Sequence, residues 1–398
     1  MIHALLVASS GHDALPIPFV MATGRTLLAL LAPWGSAVHA SLSPLIVAGR
    51  ASAPFFIAGA TLAAVLGTAV GLSRAVRRQV RTDRRDRRDA LADTLARVAR
   101  KQQDLGSMAA VCQAVDAETF WRAVDRDDTR RGDRARLRLG RGLMTVSHVR
   151  VERERLFDDD PARAHAAAGR LGCLPSPESR RDLRRALALG PEPVAAAAAR
   201  ALARHRDRAA LRWILARPQR LKRRSVAVWI GLLRGFGRRG LPVIAAALER
   251  GVEDRRLLRA GYEALGFGGY RDGTAAIARG LEHKDEEVRI AAARALGRLR
   301  AGDQAAALTA TLRDRVWQVR ALGAWALGRA RVADALAPLT ASVNDRAWWV
   351  RRHSAYALAR LGAPGLEALR GVAAGSPDRY AREMAQEALD VTARHRER

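Results

Sequence analysis

Eight leucines recur along this chain at nearly constant distance: Leu171, Leu202, Leu233, Leu265, Leu296, Leu327, Leu358 and Leu389. The intervals are 31, 31, 32, 31, 31, 31 and 31 residues. A period of this length marks a solenoid or similar array in which each repeat is one supersecondary unit. Between the leucines, apolar residues return every three and four positions, as amphipathic helices require. A helix pair of this size cannot bury its apolar face alone, so stacking against its neighbours must supply the core. The expected fold class is therefore all-α: an α-solenoid of about eight 31-residue helix-pair repeats over residues 155–398.

The last four units carry a sharper pattern. Asp285 and Val288-Arg289 lead to Ala295-Leu296-Gly297, Asp314 and Val319-Arg320 to Ala326-Leu327-Gly328, and Asp345 and Val350-Arg351 to Ala357-Leu358. Asp378, Ala381-Arg382 and Ala388-Leu389 close the series. Gly266, Gly297, Gly328 and Gly362 fall where each second helix is expected to end. This pattern resembles HEAT repeats, in the short form also called phycobilisome-lyase-type. The resemblance is strong over 254–398 and weaker over 155–253, where the arginine slot holds Ala164, Ala195, Val226 and Leu258. It implies a curved right-handed α-solenoid whose repeats mostly serve as binding surfaces. It also implies that Arg289, Arg320, Arg351 and Arg382 pair with turn acids at Asp285, Asp314, Asp345 and Asp378, a structural ladder rather than a ligand site. Residues 111–154 read as a degenerate first repeat or connector around Phe120, Trp121, Leu137 and Leu143.

Ahead of the array, residues 53–73 (APFFIAGATLAAVLGTAVGLS) contain no charge. A membrane-spanning helix needs about 20 apolar residues, which makes this stretch an expected transmembrane helix. Eight arginines follow within residues 74–88 against Asp83 and Asp86. That asymmetry places the C-terminal side in the cytoplasm, with the chain at the cell membrane of a bacterium, and gives the flank an affinity for anionic lipid. Residues 74–110 read as a basic juxtamembrane helix, a stalk or short coiled coil, with Leu91, Leu95, Val98, Gln102 and Leu105 on one face. Residues 1–52 allow two readings. Residues 26–48 form a second, weaker span broken by Pro33 and Pro44, or Met21 to Ala40 is signal-like and Met21 the start.

The chemistry-bearing motifs are few. Cys112 and Cys173 stand alone, and the nine histidines form no metal spacing, so no cofactor and no metal are expected. HExxH, GxxxxGK[ST] and GxSxG are absent, as is any His-Glu pair of the kind an iron-binding HEAT hydroxylase needs. The chain reads as a binding protein and not an enzyme; a bilin-lyase activity follows only from the family resemblance. Gly235-Phe-Gly237-Arg-Arg-Gly240 matches a dinucleotide fingerprint, but its glycines fall in the repeat register, so helix termination explains them better. The triplet Asp158-Asp159-Asp160 before Pro161 reads as the flank of a helix N-terminus.

Two features suggest partners. The net charge is +29, and 66 of the 69 basic residues are arginine. Abundant Arg, Ala and Gly point to a GC-rich genome, so part of this excess is codon composition. Residues 200–240 concentrate it, with Arg212, Arg220, Lys222, Arg223 and Arg224 among 13 basic residues opposed by Asp207 alone. Such a stripe suits phosphates, anionic lipid or an acidic protein, with nucleic acid the second choice for a membrane-tethered chain. Trp317 and Trp348 occupy one repeat slot 31 apart, and Trp349 adjoins the second. Stacked tryptophans make protein hot spots when exposed, and pack between repeats when not. The expected function is a membrane-anchored cytoplasmic scaffold or adaptor that holds a protein partner.

Overall fold

The structure is a computed structural model that describes residues 53–100, 105–128, 132–221 and 224–396. It divides into two units, residues 1–85 and 86–398. All regular structure among the described residues is helical.

Helix α1 runs unbroken from Ala53 to Ala99. The expected transmembrane helix at 53–73 is therefore not a separate element, and among the described residues no helix is long and apolar enough to cross a membrane. The reason lies in the sequence after the apolar stretch. Ser73 is followed at once by arginines on the same helix, so the uncharged stretch has no helix boundary of its own. Both readings of residues 1–52 lie outside the described residues. The C-terminal part of α1 is not a free stalk either. Leu91, Leu95 and Val98 are fully buried in the core of the second unit, together with Met108, Cys112 and Phe120.

Three short helices follow: α2 (Leu105–Gln113), α3 (Ala117–Asp128) and α4 (Asp133–Gly142). Phe120, Trp121 and Leu143 are buried here and Leu137 is half-buried. Eight helix pairs then succeed one another. They are α5 (Ser147–Arg155) with α6 (Pro161–Leu171), α7 (Pro177–Leu189) with α8 (Glu192–Arg204), and α9 (Arg208–Ala216) with α10 (Val226–Gly235). Next come α11 (Leu241–Arg250) with α12 (Arg255–Gly268), α13 (Thr274–Ala278) with α14 (Glu286–Leu299), and α15 (Ala305–Ala310) with α16 (Trp317–Ala330). The last are α17 (Leu336–Ser342) with α18 (Trp348–Arg360) and α19 (Ala363–Gly375) with α20 (Arg379–Arg396).

Each second helix packs on the second helix of the next pair, from α6 on α8 through to α18 on α20. The periodic leucines sit in these contacts. Leu171, Leu202, Leu233, Leu265, Leu296, Leu327 and Leu358 are all 0% exposed, and Leu389, on the last described helix, is half-buried. That is the pattern expected when neighbours supply the core. Short acceptors start the helices: Asp160, Asp207, Asp254 and Asp285 each take backbone N–H groups of the first turn of α6, α9, α12 and α14. The acidic triplet at 158–160 thus supplies a cap, with Pro161 at the first helical position.

Gly362 (φ 82°) follows the end of α18 as the sequence suggests, but the other three glycines do something else. Gly266, Gly297 and Gly328 lie inside α12, α14 and α16, two residues short of their last residue in each case. They face the next repeat at close range. A Cβ on Gly266 would lie 3.1 Å from the Ala295 Cα, one on Gly328 would lie 2.6 Å from the Ala357 Cα, and one on Gly297 would enter the Trp325 ring. The helices actually end in left-handed residues: Gly269 (φ 68°), Arg300 (φ 52°) and Arg331 (φ 55°). An L-residue pays about 1–2 kcal/mol for that conformation. Arg331 is exposed, so Arg331→Gly is expected to stabilise the array by about 0.5–1 kcal/mol. A fall in its thermal midpoint would show that the arginine side chain contributes more than its backbone costs.

Candidate protein-binding surface

The turn that precedes each second helix in the last repeats is built around a buried arginine. Arg289 Nε and Nη2 donate to the two carboxylate oxygens of Asp314 at 2.8 and 3.0 Å, and Nη1 donates to the carbonyls of His283 and Lys284. Arg320 repeats the arrangement with Asp345 at 2.7 and 2.8 Å and with the carbonyls of Asp314 and Arg315. Each arginine therefore holds its own turn and grips the aspartate of the following repeat. Asp314 and Asp345 also accept the N–H of Val316 and Ala347. Burial alone would push the Asp345 carboxyl up. The Arg320 hydrogen bonds, the Ala347 N–H and the Arg320 charge outweigh it and hold the carboxyl below its ordinary range.

The series opens and closes differently. Asp285 receives Arg255 at 2.9 Å, because the slot that would carry the ladder arginine holds Leu258. Arg351 donates to the carbonyls of Asp345 and Arg346, but its Nε is buried without a partner and the Tyr380 ring lies 5.4 Å from its guanidinium. Asp378 instead accepts from the Tyr380 N–H, and Arg382 donates to the carbonyls of Ser376 and Pro377. The rung geometry is thus complete twice among these four arginines.

Locking these turns fixes the start of each second helix, and the large aromatics stand there. Trp317 and Trp348 are the first residues of α16 and α18 and are 41% and 44% exposed; Trp349 is 49% exposed. Trp348 and Trp349 meet edge to face with ring centroids 4.7 Å apart, and Trp349 stacks on His353. Arg352 lies 5.3 Å from the Trp348 ring and pairs with Glu387, which also accepts from the Tyr356 hydroxyl. Burial, then the charges of Arg352 and Arg360, push the His353 imidazole down, so it is neutral near pH 7. Tyr380, 62% exposed, occupies on α20 the position of Trp349 on α18. It was not singled out in the sequence, although its offset of 31 from Trp349 was the signal. Exposed Arg315 and Arg346 each follow a ladder aspartate directly, so the edge is aromatic and basic together.

The basic stripe disperses in the fold. Arg220 Nη2 donates to the carbonyls of Leu187 and Gly190, closing the end of α7, and Arg224 pairs with Glu192 at 3.2 Å. Both arginines are occupied by the protein itself. Arg212 is exposed on α9, and Lys222 and Arg223 lie outside the described residues. The segment before Gly235 is helix α10 and not a strand; Gly237 (φ 65°) and Gly240 belong to the turn after it, so the dinucleotide arrangement is not formed.

A family model described as HEAT repeats matches residues 241–321 and 305–390, so the chain carries HEAT repeats over that stretch. Among solved structures, the chain is similar to an engineered protein, with 18% identity over 77% of this chain and 95% of that one and a TM-score of 0.33. It is similar to human deoxyhypusine hydroxylase, with 17% identity over 77% of this chain and 98% of that one and a TM-score of 0.28. The complex of CpcE and CpcF of phycocyanin lyase from Nostoc also matches, with 22% identity over 61% of this chain and 94% of that chain and a TM-score of 0.28. No curated protein matches the chain.

Proposed function

We propose that this protein is a scaffold that binds a protein partner through the aromatic edge of its last three repeats. The carrying observation is that Trp317, Trp348, Trp349 and Tyr380 all stay about half exposed at corresponding positions on successive second helices. A folded chain gains by burying such rings, and aromatic side chains beside arginine are the usual anchors of protein interfaces. The ladder beneath them is what makes the surface rigid before binding. Arg315 and Arg346 favour an acidic partner segment. The activity proposed is binding, with no catalytic step and no cofactor. No membrane span enters this reading, because none is found among the described helices.

The test places a photo-crosslinking residue at Trp348 and, as a control, at exposed Arg370 on α19. The partner captured from Trp348 and not from Arg370 is then measured against the Trp348→Ala/Trp349→Ala variant. Loss of two hot-spot tryptophans is expected to weaken that complex by about 3 kcal/mol or more, with the free protein's melting temperature nearly unchanged. Undiminished binding by the double variant would refute the reading. A second reading, nucleic-acid binding by the 200–240 stripe, is weakened by the internal roles of Arg220 and Arg224.

A further inference from the structure

A second basic feature lies far from the aromatic edge. A cavity of about 450 Å³ opens where α4, α7 and the turn between α8 and α9 meet, and it is closed on one side by the turn after α10. Its size falls in the range of small-molecule sites, about 300–1,000 Å³. Eight arginines and two aspartates line it, a net charge of +6 with the histidine neutral. Both aspartates are already engaged. Asp207 caps α9 and receives Arg184 at 2.7 Å, and Asp133 receives Arg206. The backbone of Arg206 is left-handed (φ 52°), so the turn that presents it is itself strained.

Three of the guanidinium groups, Arg141, Arg208 and Arg239, form no hydrogen bond or ion pair among the described residues. A deeper polar orphan stands beside them. His205 lines the cavity and is 4% exposed. Its Nε2 lies 3.1 Å from the Leu171 carbonyl, which can only accept, so Nε2 carries the proton. Its Nδ1 is then a buried acceptor with no partner, and the Nε of Arg180 is a buried donor with none. Buried polar groups of this kind are normally satisfied by protein, water or a bound ion. Burial first, then the charges of Arg180 and Arg136, push the His205 pKa down to about 3. The ring therefore does not add to the positive charge.

Unpaired arginines converging on one concave site suit an anion of high charge density, because a guanidinium binds phosphate oxygens in pairs. We propose that this cavity binds a small molecule bearing clustered phosphates, held by Arg141, Arg208 and Arg239. The proposal is independent of the protein-binding edge. A duplex nucleic acid would lie along a surface, whereas this site is a pocket.

Calorimetric titration of the full-length protein with inorganic tripolyphosphate at about 0.15 M salt tests it, with ATP in a parallel arm. Saturable binding is expected, and Arg141→Gln/Arg208→Gln/Arg239→Gln should weaken it about tenfold or more. Arg212→Gln/Arg238→Gln, two exposed arginines outside the cavity, should leave it unchanged. Because none of the three cavity arginines has a structural partner, the melting temperature without ligand should hold; Arg239→Gln alone, expected to give a smaller loss, serves if the triple variant unfolds. Tighter binding of ATP than of tripolyphosphate would assign the phosphates to a nucleotide, and the reverse to a free oligophosphate. No saturable binding, or equal losses in the cavity and control variants, overturns the proposal. So does binding of a single-stranded oligonucleotide that tripolyphosphate fails to displace.

Discussion

Asp345→Ala is expected to destabilise the C-terminal repeats by about 3 kcal/mol or more, because it strands a buried charge. Arg320 is 6% exposed and spends its Nε and Nη2 on this one carboxylate. The truncation also removes the acceptor for the Ala347 N–H at the start of α18. In a solenoid the damage should stay local, since each repeat contacts only its neighbours. Amide exchange in α16 and α18 should therefore quicken about a hundredfold while α8 and α10 are unaffected. Replacing both partners, Arg320→Met with Asp345→Leu, should recover much of the loss, since a buried pair rarely outperforms apolar packing. The rung also has a pH signature. The folded carboxyl is held below its unfolded value, so its stabilisation is complete above about pH 4 and fades as pH falls through the folded value. Exchange rates in Asp345→Ala within twofold of the wild type would show that the ladder is decoration.

The array itself was legible in one sequence because a stacked repeat imposes the same burial at the same place each time. Leu296 and Leu327 could be paired by counting, and both are fully buried. The role of the glycines was not legible that way. A glycine at the end of a helix and a glycine inside it, pressed on the next repeat, leave the same mark at the same period. Only the position of the Ala357 Cα against Gly328 separates them. The end of the apolar stretch is not an element boundary for a related reason: helical propensity does not stop where hydrophobicity does, and the apolar stretch passes into the arginine-rich one on a single helix.

The candidate sites divide along the same line. Trp317, Trp348 and Trp349 were visible because they share a repeat slot, and their exposure adds what the slot cannot tell. The 200–240 stripe counted arginines without asking what each could reach. Arg220 closes the end of α7 and Arg224 meets Glu192, and both contacts span about 30 residues of sequence, one repeat length. The arginine cavity shows the converse. It gathers Arg141, Arg180 and Arg239 from three separate parts of the chain, and no local window contains them together.

Gly328 carries the other large effect. A Cβ there would meet the Ala357 Cα at 2.6 Å and its Cβ at 2.7 Å, so a backbone, not a flexible side chain, must give way. Gly328→Ala is expected to cost about 1–3 kcal/mol, the range for overpacking. Gly328→Leu should exceed 4 kcal/mol, because the added side chain has to separate α16 from α18. Helix propensity argues the opposite way, since alanine is favoured over glycine by about 1 kcal/mol inside a helix. Gly371 in α19 isolates that term: nothing lies within 4 Å of its would-be Cβ. Gly371→Ala should therefore stabilise by about 1 kcal/mol where Gly328→Ala destabilises. Thermal midpoints of the three variants decide it. A Gly328→Ala protein as stable as Gly371→Ala would mean that the repeats stack with slack at this contact. The small residue would then reflect the arginine- and glycine-rich composition rather than the closeness of neighbouring helices.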